Sequence, residues 1–503
     1  MNIGKDKSIK VSGPVKVSLK QQTVSGVKWQ MVNKIAQKVL SVGTFAVLAR
    51  ILNPSTFGLF AMAFILIDGL HLLKSFGLDT ALIQRRDNIE EASHTAYFIV
   101  QVQGFVLFGI CFLVAPLAGF FFKNPDITAI VRALGIIFIF SSFSKIPTTL
   151  LTKQMKFNTI AAIELIGAVV NSCVAVALAF VWKNVWALVW AYVAKQFVTA
   201  LLARFFSGYR FKWSFNWKIA KELLHYGKFM VGMGALWYFG DNVGNLIVGK
   251  MLGTAILGYF ALATNIGNLI NTHFTYLLEG VMLPAYSSIQ HDKEEVKRVY
   301  LKTTKFVAIL SMPFAVALIF LAKNLVLVLY GKKWLEVVPL IQIYGVMQLM
   351  VPILACSGSL FLGCGKPKFL YHLSWVGLLI KLPLLFILTK YFGVIGTVTA
   401  GFLVVVITLP LNFLMVSRIV NLKTTEFLKQ FLPSLCCSLA MLAVIFVFKT
   451  AIISNSIPCF LGSQLVELAI YAIFGFGAYL AAFYLFDRSA AIEVKQLLIK
   501  KKI

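Results

Sequence analysis

Acid is what this sequence has least of. Asp and Glu together occupy 19 of 503 positions, and charged residues of either sign make up 13%. A soluble domain usually carries about 25%, so a water-covered surface on a chain of this length is excluded. Histidine is rare too, with six. The seven cysteines (Cys111, Cys173, Cys356, Cys364, Cys436, Cys437, Cys459) show no C-x-x-C or ligand spacing. That argues against zinc and iron–sulfur signatures and leaves them as small residues inside apolar runs. No G-x-x-x-x-G-K-[ST] string occurs, so the chain offers no phosphate-cradling loop for nucleotide-driven work. No Ser/His/Asp constellation stands out, and no joint between apolar runs is long enough for a soluble catalytic domain. The expectation is a non-enzyme without metal or cofactor.

What is present is apolar: 59% of residues are hydrophobic. Runs of the ~20 residues a spanning helix needs follow one another with short polar joints between them. No strand-like alternation appears, so only helices can satisfy their own backbone in lipid. The runs fall at 29–52, 57–82, 95–121, 127–151, 158–182, 185–206, 222–249, 255–281, 299–322, 336–362, 369–390, 394–418, 428–449 and 464–486. The sequence thus predicts an all-α polytopic membrane protein of about fourteen spans. The first 28 residues are polar and basic, with no short apolar core and cleavage site before the first run, so the first helix is expected to act as an uncleaved signal.

The net charge of +28 invites a nucleic-acid reading, which the distribution of the cations opposes. Alternating sides from the N terminus places 31 of the 47 Lys and Arg on the side of the N-terminal tail. Ten fall on the other: Arg50, Lys123, Arg132, Lys183, Lys250, Lys323, Lys332, Lys333, Lys390 and Lys449. The cation-rich side is cytoplasmic by the positive-inside rule, which puts both termini inside. The segment Ala322–Trp334 mixes apolar residues with lysines and is expected in the outer interface.

An internal repeat orders the spans. Leu52, Gly58, Phe60, Ala61 and Ala63 recur 200 positions later as Leu252, Gly258, Phe260, Ala261 and Ala263. Lys156-Phe157 recurs as Lys368-Phe369. Both copies begin on the same side, which implies two six-helix lobes in a parallel pseudo-twofold repeat. The expected organisation is a basic tail (1–28), a first lobe (29–206), a linker (207–221), a second lobe (222–418), two added helices (428–486) and a basic tail (487–503).

Several strings carry a family resemblance: Gly77-Leu-Asp-Thr-Ala-Leu-Ile-Gln-Arg-Arg-Asp87, Asp241-Asn242, Ile247–Gly253, Leu257–Ala263, Pro284-Ala-Tyr-Ser-Ser-Ile-Gln290 and Gly365-Lys-Pro367. Over about residues 25–420 the chain resembles the polysaccharide-transporter branch of the MOP superfamily, the Wzx-type flippases, and most of all the colanic and teichuronic acid subgroup. The resemblance implies a bacterial inner-membrane carrier with a V-shaped cavity between two bundles. Its cargo would be an undecaprenyl-diphosphate-linked oligosaccharide, with cavity cations meeting the diphosphate. Membrane lipids and the polymerase and chain-length machinery of the same pathway would be its partners.

Charges inside spans are costly and mark cavities or pathways by default, with snorkelling as the plain alternative. Gln30, Lys34, Lys38 and Ser41 share one face of the first helix. Asp68, His71, Lys74 and Asp79 lie on the second, and Asp241 and Asn245 on the seventh. Asn265, Asn268, Thr272, Thr275 and Glu279 form a polar stripe on the eighth, suited either to interhelical hydrogen bonds or to glycan hydroxyls. Glu164 and Asn171 lie on the fifth helix, and Lys195 and Lys381 are isolated cations within apolar runs. The expected cavity set is Lys34, Lys38, Asp68, Lys74, Lys195, Asp241, Asn268, Thr272 and Lys381. Asp68, Asp241 and Glu279 are the candidates for H⁺ or Na⁺ coupling. Rival functions are a multidrug or peptidoglycan-precursor transporter of the same superfamily and, from another class, a membrane-embedded glycan polymerase or ligase. The last would need polar catalytic groups on a sizeable outer loop, and the outer joints are short.

Overall fold

The structure, a computed structural model, describes residues 19–74, 78–85, 87–212, 214–269, 282–453, 464–486 and 488. Among them every regular element is a helix and no strand occurs. The first lobe comprises α1 (Leu19–Ile51), α2 (Pro54–Lys74), α3 (Leu78–Gln84), α4 (Ile89–Phe122), α5 (Asp126–Lys153), α6 (Phe157–Trp182) and α7 (Trp186–Ser207). The second comprises α8 (Trp217–Leu252), α9 (Thr254–Gly267), α10 (Lys293–Phe320), α11 (Ala322–Leu329), a 3₁₀ turn (Lys332–Val337), α12 (Val338–Gln348), α13 (Val351–Gly363) and α14 (Pro367–Val420). A short α15 (Thr424–Lys429) leads to α16 (Leu432–Ile453) and α17 (Gln464–Phe486).

Among the described residues nine helices are long and apolar enough to cross a membrane. Their apolar faces point outward: Leu113 is 77%, Phe120 85% and Leu485 79% exposed, a pattern that is favourable only against lipid. The order of helices is consistent with fourteen passes, and the chain is a multi-pass membrane protein. Some boundaries differ from the expected ones. α1 begins at Leu19, inside the segment expected as a tail. The expected second span is described as α2 to Lys74 and α3 from Leu78, and 75–77 lie outside the described residues. The expected span 336–362 is two helices, α12 and α13, each opened by a proline in its first turn, where the missing N–H costs nothing. Conversely α14 is one 54-residue element containing two expected spans, broken at Gly393, whose φ of 59° and ψ of −143° are non-helical. A side chain would be strained at that φ. The expected span 255–281 is described as α9 to Gly267, and its remainder to 281 lies outside the described residues.

We call the end of the bundle carrying the joints 52–53, 123–125, 183–185 and 330–331 the outer end, after the expected orientation, and the opposite end the inner. The hydrophobic core is continuous across both lobes toward the outer end. There Leu48, Leu52, Met62, Leu134 and Ala187 share one cluster with Val248, Leu257, Trp334 and Ile341. Toward the inner end it divides. Leu78, Leu82, Tyr97 and Ile146 pack together with Ile219 at the start of α8, and Tyr286, Tyr300, Leu360 and Val420 pack within the second lobe. The lobes are therefore joined through one core at the outer end, while the inner end holds two distinct clusters, the first of which includes the start of α8. α16 and α17 pack on each other and on α10, where the Tyr479 hydroxyl donates to the Ile309 carbonyl at 2.8 Å.

Candidate functional site

Two helices that start at the outer end, α2 and α9, cross at the junction of the lobes. A Cβ added to Gly58 would sit 1.7 Å from the Thr254 carbonyl oxygen, and one added to Gly258 would sit 2.0 Å from that of Pro54. These are one contact seen from either lobe, because Gly58 and Gly258, like Pro54 and Thr254, are 200 positions apart. The sequence repeat is therefore the segment that meets its own copy on the pseudo-twofold axis. Only glycine lets two helix backbones approach this closely.

Around the crossing, cations of each lobe cap helices of the other. The last carbonyls of a helix lack intrahelical partners and carry partial negative charge. Arg50, in the last turn of α1, donates to the Leu329 carbonyl at 3.4 Å and to that of Val328, at the end of α11. Lys250, in the last turn of α8, donates to the Phe121 carbonyl at the end of α4 and lies 4.5 Å from the centroid of that ring. Arg50 and Lys250 are again 200 apart, so the two caps obey the same axis. A third tie runs the other way. Lys333 donates to the Leu52 carbonyl at 2.9 Å and the Trp334 indole N–H to that of Ala49 at 2.9 Å. Trp334 is fully buried, with its ring 5.4 Å from Phe57 and 5.8 Å from Tyr259. The stretch Ala322–Trp334, expected at the lipid interface, thus ends as a strap across α1. Its tryptophan is drawn inward because α1 offers both an apolar cleft and an uncapped carbonyl.

Beneath this closure runs a polar seam. Asp68 of α2 accepts from the Asn242 amide of α8 at 3.5 Å, and Asn245 donates to Asn242 at 3.2 Å. The Tyr238 hydroxyl donates to the Ile65 carbonyl, and Asp68 lies within electrostatic reach of the Tyr192 and Tyr238 hydroxyls. One turn along α7, the Lys195 ammonium stands 5.8 Å from the Tyr192 ring centroid. Lys195 feels Glu164 of α6. The Glu164 carboxylate accepts from the Asn33 and Gln37 amides of α1 at 3.0 and 3.3 Å. Carboxylates and a cation thus alternate with amides and phenols from α8 through α2, α7 and α6 to α1. Such a series in a membrane interior is tolerable where its members solvate one another and water or cargo completes the shell.

The sequence-derived residues are distributed as follows. Asp68 and Lys195 lie on the seam. Lys38 is half-buried on α1 and Lys34 exposed, whereas Asn33 is buried. The α1 face packed on α6 is therefore Asn33 and Gln37, one position round the helix from Lys34 and Lys38. Amides can be sealed between helices at lower cost than ammonium groups. Lys381 donates to the Gly240 carbonyl and so ties α14 to α8. Asn268 is half-buried at the end of α9. The side chains of Lys74 and Asp241, and the whole of Thr272, Thr275 and Glu279, lie outside the described residues. Asp79 belongs elsewhere, in a 2.6 Å ion pair with Lys145 that fastens α3 to α5. The site's unforeseen members are Asn33, Gln37, Tyr192 and Asn242, together with Glu164, which the sequence marks on its helix but which lies outside the expected cavity set. The four-residue spacing of Asn33 and Gln37 and the lone carboxylate of α6 were the signals available. Among the described residues no group of three His, Cys, Asp or Glu could hold a metal ion.

Residues 47–339 match a family described as "Polysaccharide biosynthesis protein". Among curated relatives, the lipopolysaccharide biosynthesis protein WzxC of Escherichia coli is 24% identical over 436 residues, covering 84% of this chain and 88% of that one. The teichuronic acid biosynthesis protein TuaB of Bacillus subtilis is 22% identical, covering 71% and 74%. Among solved structures, the lipid II flippase MurJ in an inward closed conformation superposes with a TM-score of 0.72 at 15% identity, over 92% of this chain and 99% of that one. An inward-facing MATE-family multidrug transporter of the MOP superfamily gives 0.59 at 15% identity, over 76% and 95%.

Proposed function

The chain belongs to the polysaccharide biosynthesis protein family, and on that premise we propose that it is a flippase for lipid-linked oligosaccharides. It carries undecaprenyl-diphosphate-linked repeat units from the cytoplasmic to the periplasmic leaflet of a bacterial inner membrane, for exopolysaccharide or O-antigen assembly. Both termini face the cytoplasm. The observation that carries the reading is the charged seam that runs from α8 across α2, α7 and α6 to α1, beneath an outer end where the lobes are latched together. A scaffold needs no such seam, and a membrane channel needs no such latch. The likeness to the fold of a lipid II flippase supports it.

The mechanism we propose is alternating access, which this geometry suits. With the outer end closed, the cargo's head enters from the inner end while its prenyl tail stays in lipid. Lys195, Lys38, Lys34, Lys74 and Lys381 supply positive charge for the diphosphate. Amides and hydroxyls, including Asn242, Asn268 and Thr272, suit the glycan. Turning outward breaks the Arg50, Lys250 and Lys333 caps and separates α2 from α9. Asp68, Asp241 and Glu279 are the groups through which H⁺ or Na⁺ binding would drive the cycle, and Glu164 joins them by its place on the seam. The polymerase and chain-length machinery of the pathway would receive the product.

The test is complementation in a strain lacking the gene. Wild-type protein restores polymer export, and Lys195→Ala combined with Lys381→Ala does not, although the variant reaches the membrane at normal level. Undiminished export by the double variant would refute the cationic seam.

A further inference from the structure

At the inner end of the second lobe lies a cavity of about 320 Å³ that the seam does not include. Lys293, Lys366, Arg418 and Gln290 line it, with Phe369 and Cys364 on its apolar side. It forms where two of the resembling strings meet. Tyr286 of Pro284–Gln290 packs so closely on Gly363 that a Cβ there would lie 2.5 Å from the tyrosine's own. This brings Gln290 and the start of α10 against the Gly365–Pro367 turn. Gly365 has a φ of 66°, which turns the chain so that Lys366 borders the cavity.

Three cations around one small cavity repel one another, and no carboxylate lines it. Among the described residues none of the three forms an ion pair. The acids nearest in sequence are otherwise engaged: Asp292 caps α10, Glu295 pairs with Arg298 at 2.7 Å, and Glu294 lies within electrostatic reach of Lys297. The inner end of the first lobe is arranged differently. There Lys153 is taken up by the Leu82 and Arg85 carbonyls, Lys145 by Asp79, and Arg85 by Glu222. The second lobe also pairs Lys297 with Glu426 at 2.7 Å, so the three cations around this cavity stand out as a cluster without an ion pair among the described residues.

We propose that this cavity binds a phosphate-bearing anion, with Lys293, Lys366 and Arg418 as its ligands and Phe369 against the apolar part of the molecule. The chemistry suits either the headgroup of an anionic phospholipid or a soluble diphosphate compound.

The test uses the full-length protein, purified and delipidated, with phosphatidylglycerol, phosphatidylcholine and inorganic pyrophosphate as probes. Native mass spectrometry counts bound lipid and thermal unfolding reads stabilisation. Phosphatidylglycerol binding in preference to phosphatidylcholine, weakened at least about tenfold in the triple variant Lys293→Gln, Lys366→Gln, Arg418→Gln, supports a headgroup site. Stabilisation by pyrophosphate alone, lost in the same variant, supports a soluble diphosphate. Lys366→Arg retains binding, and neutralising Lys123, Lys390 and Lys449 at the outer end leaves it unchanged. Lys366→Gln alone, expected to weaken binding, carries the test if the triple variant does not fold. Equal binding by wild type and the inner-end variants, or no preference for either anion in the wild type, overturns the proposal.

Discussion

Gly58→Ala is a one-carbon change aimed at the crossing on which outer closure depends. Its Cβ would lie 1.7 Å from the Thr254 carbonyl oxygen, whereas a carbon and a carbonyl oxygen in contact stay about 3.3 Å apart. α2 and α9 must therefore part by roughly 1.5 Å at their closest point, or tilt. The neighbour is backbone at the start of a helix, so no side chain can rotate away. Overpacking of this kind costs about 1–3 kcal/mol. The cost falls on the outer-closed state, because separated lobes do not make the contact. The closed population relative to the open should fall by about five- to 150-fold. In a cysteine-free background, a cysteine at Asn245 on the seam reports opening through its reaction with a membrane-impermeant maleimide added outside. Labelling should rise at least fivefold in Gly58→Ala, and export should fall. Gly258→Ala should do the same by symmetry. Gly43→Ala, with nothing within 4 Å of its added carbon, should match the wild type. Wild-type labelling and wild-type export in both Gly58→Ala and Gly258→Ala would refute the reasoning.

Three other outcomes follow from the same geometry. Arg50→Gln and Lys250→Gln each remove a cation from a helix C terminus, a loss of about 1–2 kcal/mol of closed state; each should raise outside labelling about five- to thirtyfold, and the double variant more than either. Trp334→Ala should destabilise the folded protein by about 3–5 kcal/mol, whereas Trp334→Phe loses chiefly the bond to the Ala49 carbonyl, about 1 kcal/mol; thermal unfolding in detergent separates the two. Glu164→Ala strips the Asn33 amide of its acceptor and should cost about 1–3 kcal/mol, and combining it with Asn33→Leu should recover part of that loss in the same assay.

Much of the fold was legible because lipid makes apolar runs unmistakable. The echo at 200 residues did more, since its glycine marks the crossing where the lobes meet. The scarce outer cations were legible as a count but not in their role. Arg50, Lys250 and Lys333 served to orient the chain, while their work as caps on the opposite lobe depends on which helix ends lie beside them. The face of α1 that packs on α6 is not legible from periodicity. Lys34 and Asn33 are 100° apart on a helix, and the sequence offers no partner by which to choose between them until α6 brings Glu164 alongside. The joint expected between 390 and 394 was legible and coincides with the non-helical Gly393, whereas the break between α12 and α13 was hidden inside one apolar run. Lys381 looked like a bare cation because its acceptor is a carbonyl 141 positions away, which no pattern of side chains reveals.

The account stands on movement of a lipid-linked oligosaccharide across the bilayer, and that can be followed in proteoliposomes. Undecaprenyl-diphosphate-linked repeat units from the producing strain are incorporated in both leaflets, and those facing outward are converted by an impermeant glycosidase. With the protein present, conversion should pass beyond the outward-facing half and approach completion, and Gly58→Ala should slow that second half of the conversion. Conversion that stops at half with the folded wild-type protein present, with or without an H⁺ or Na⁺ gradient, would contradict the account.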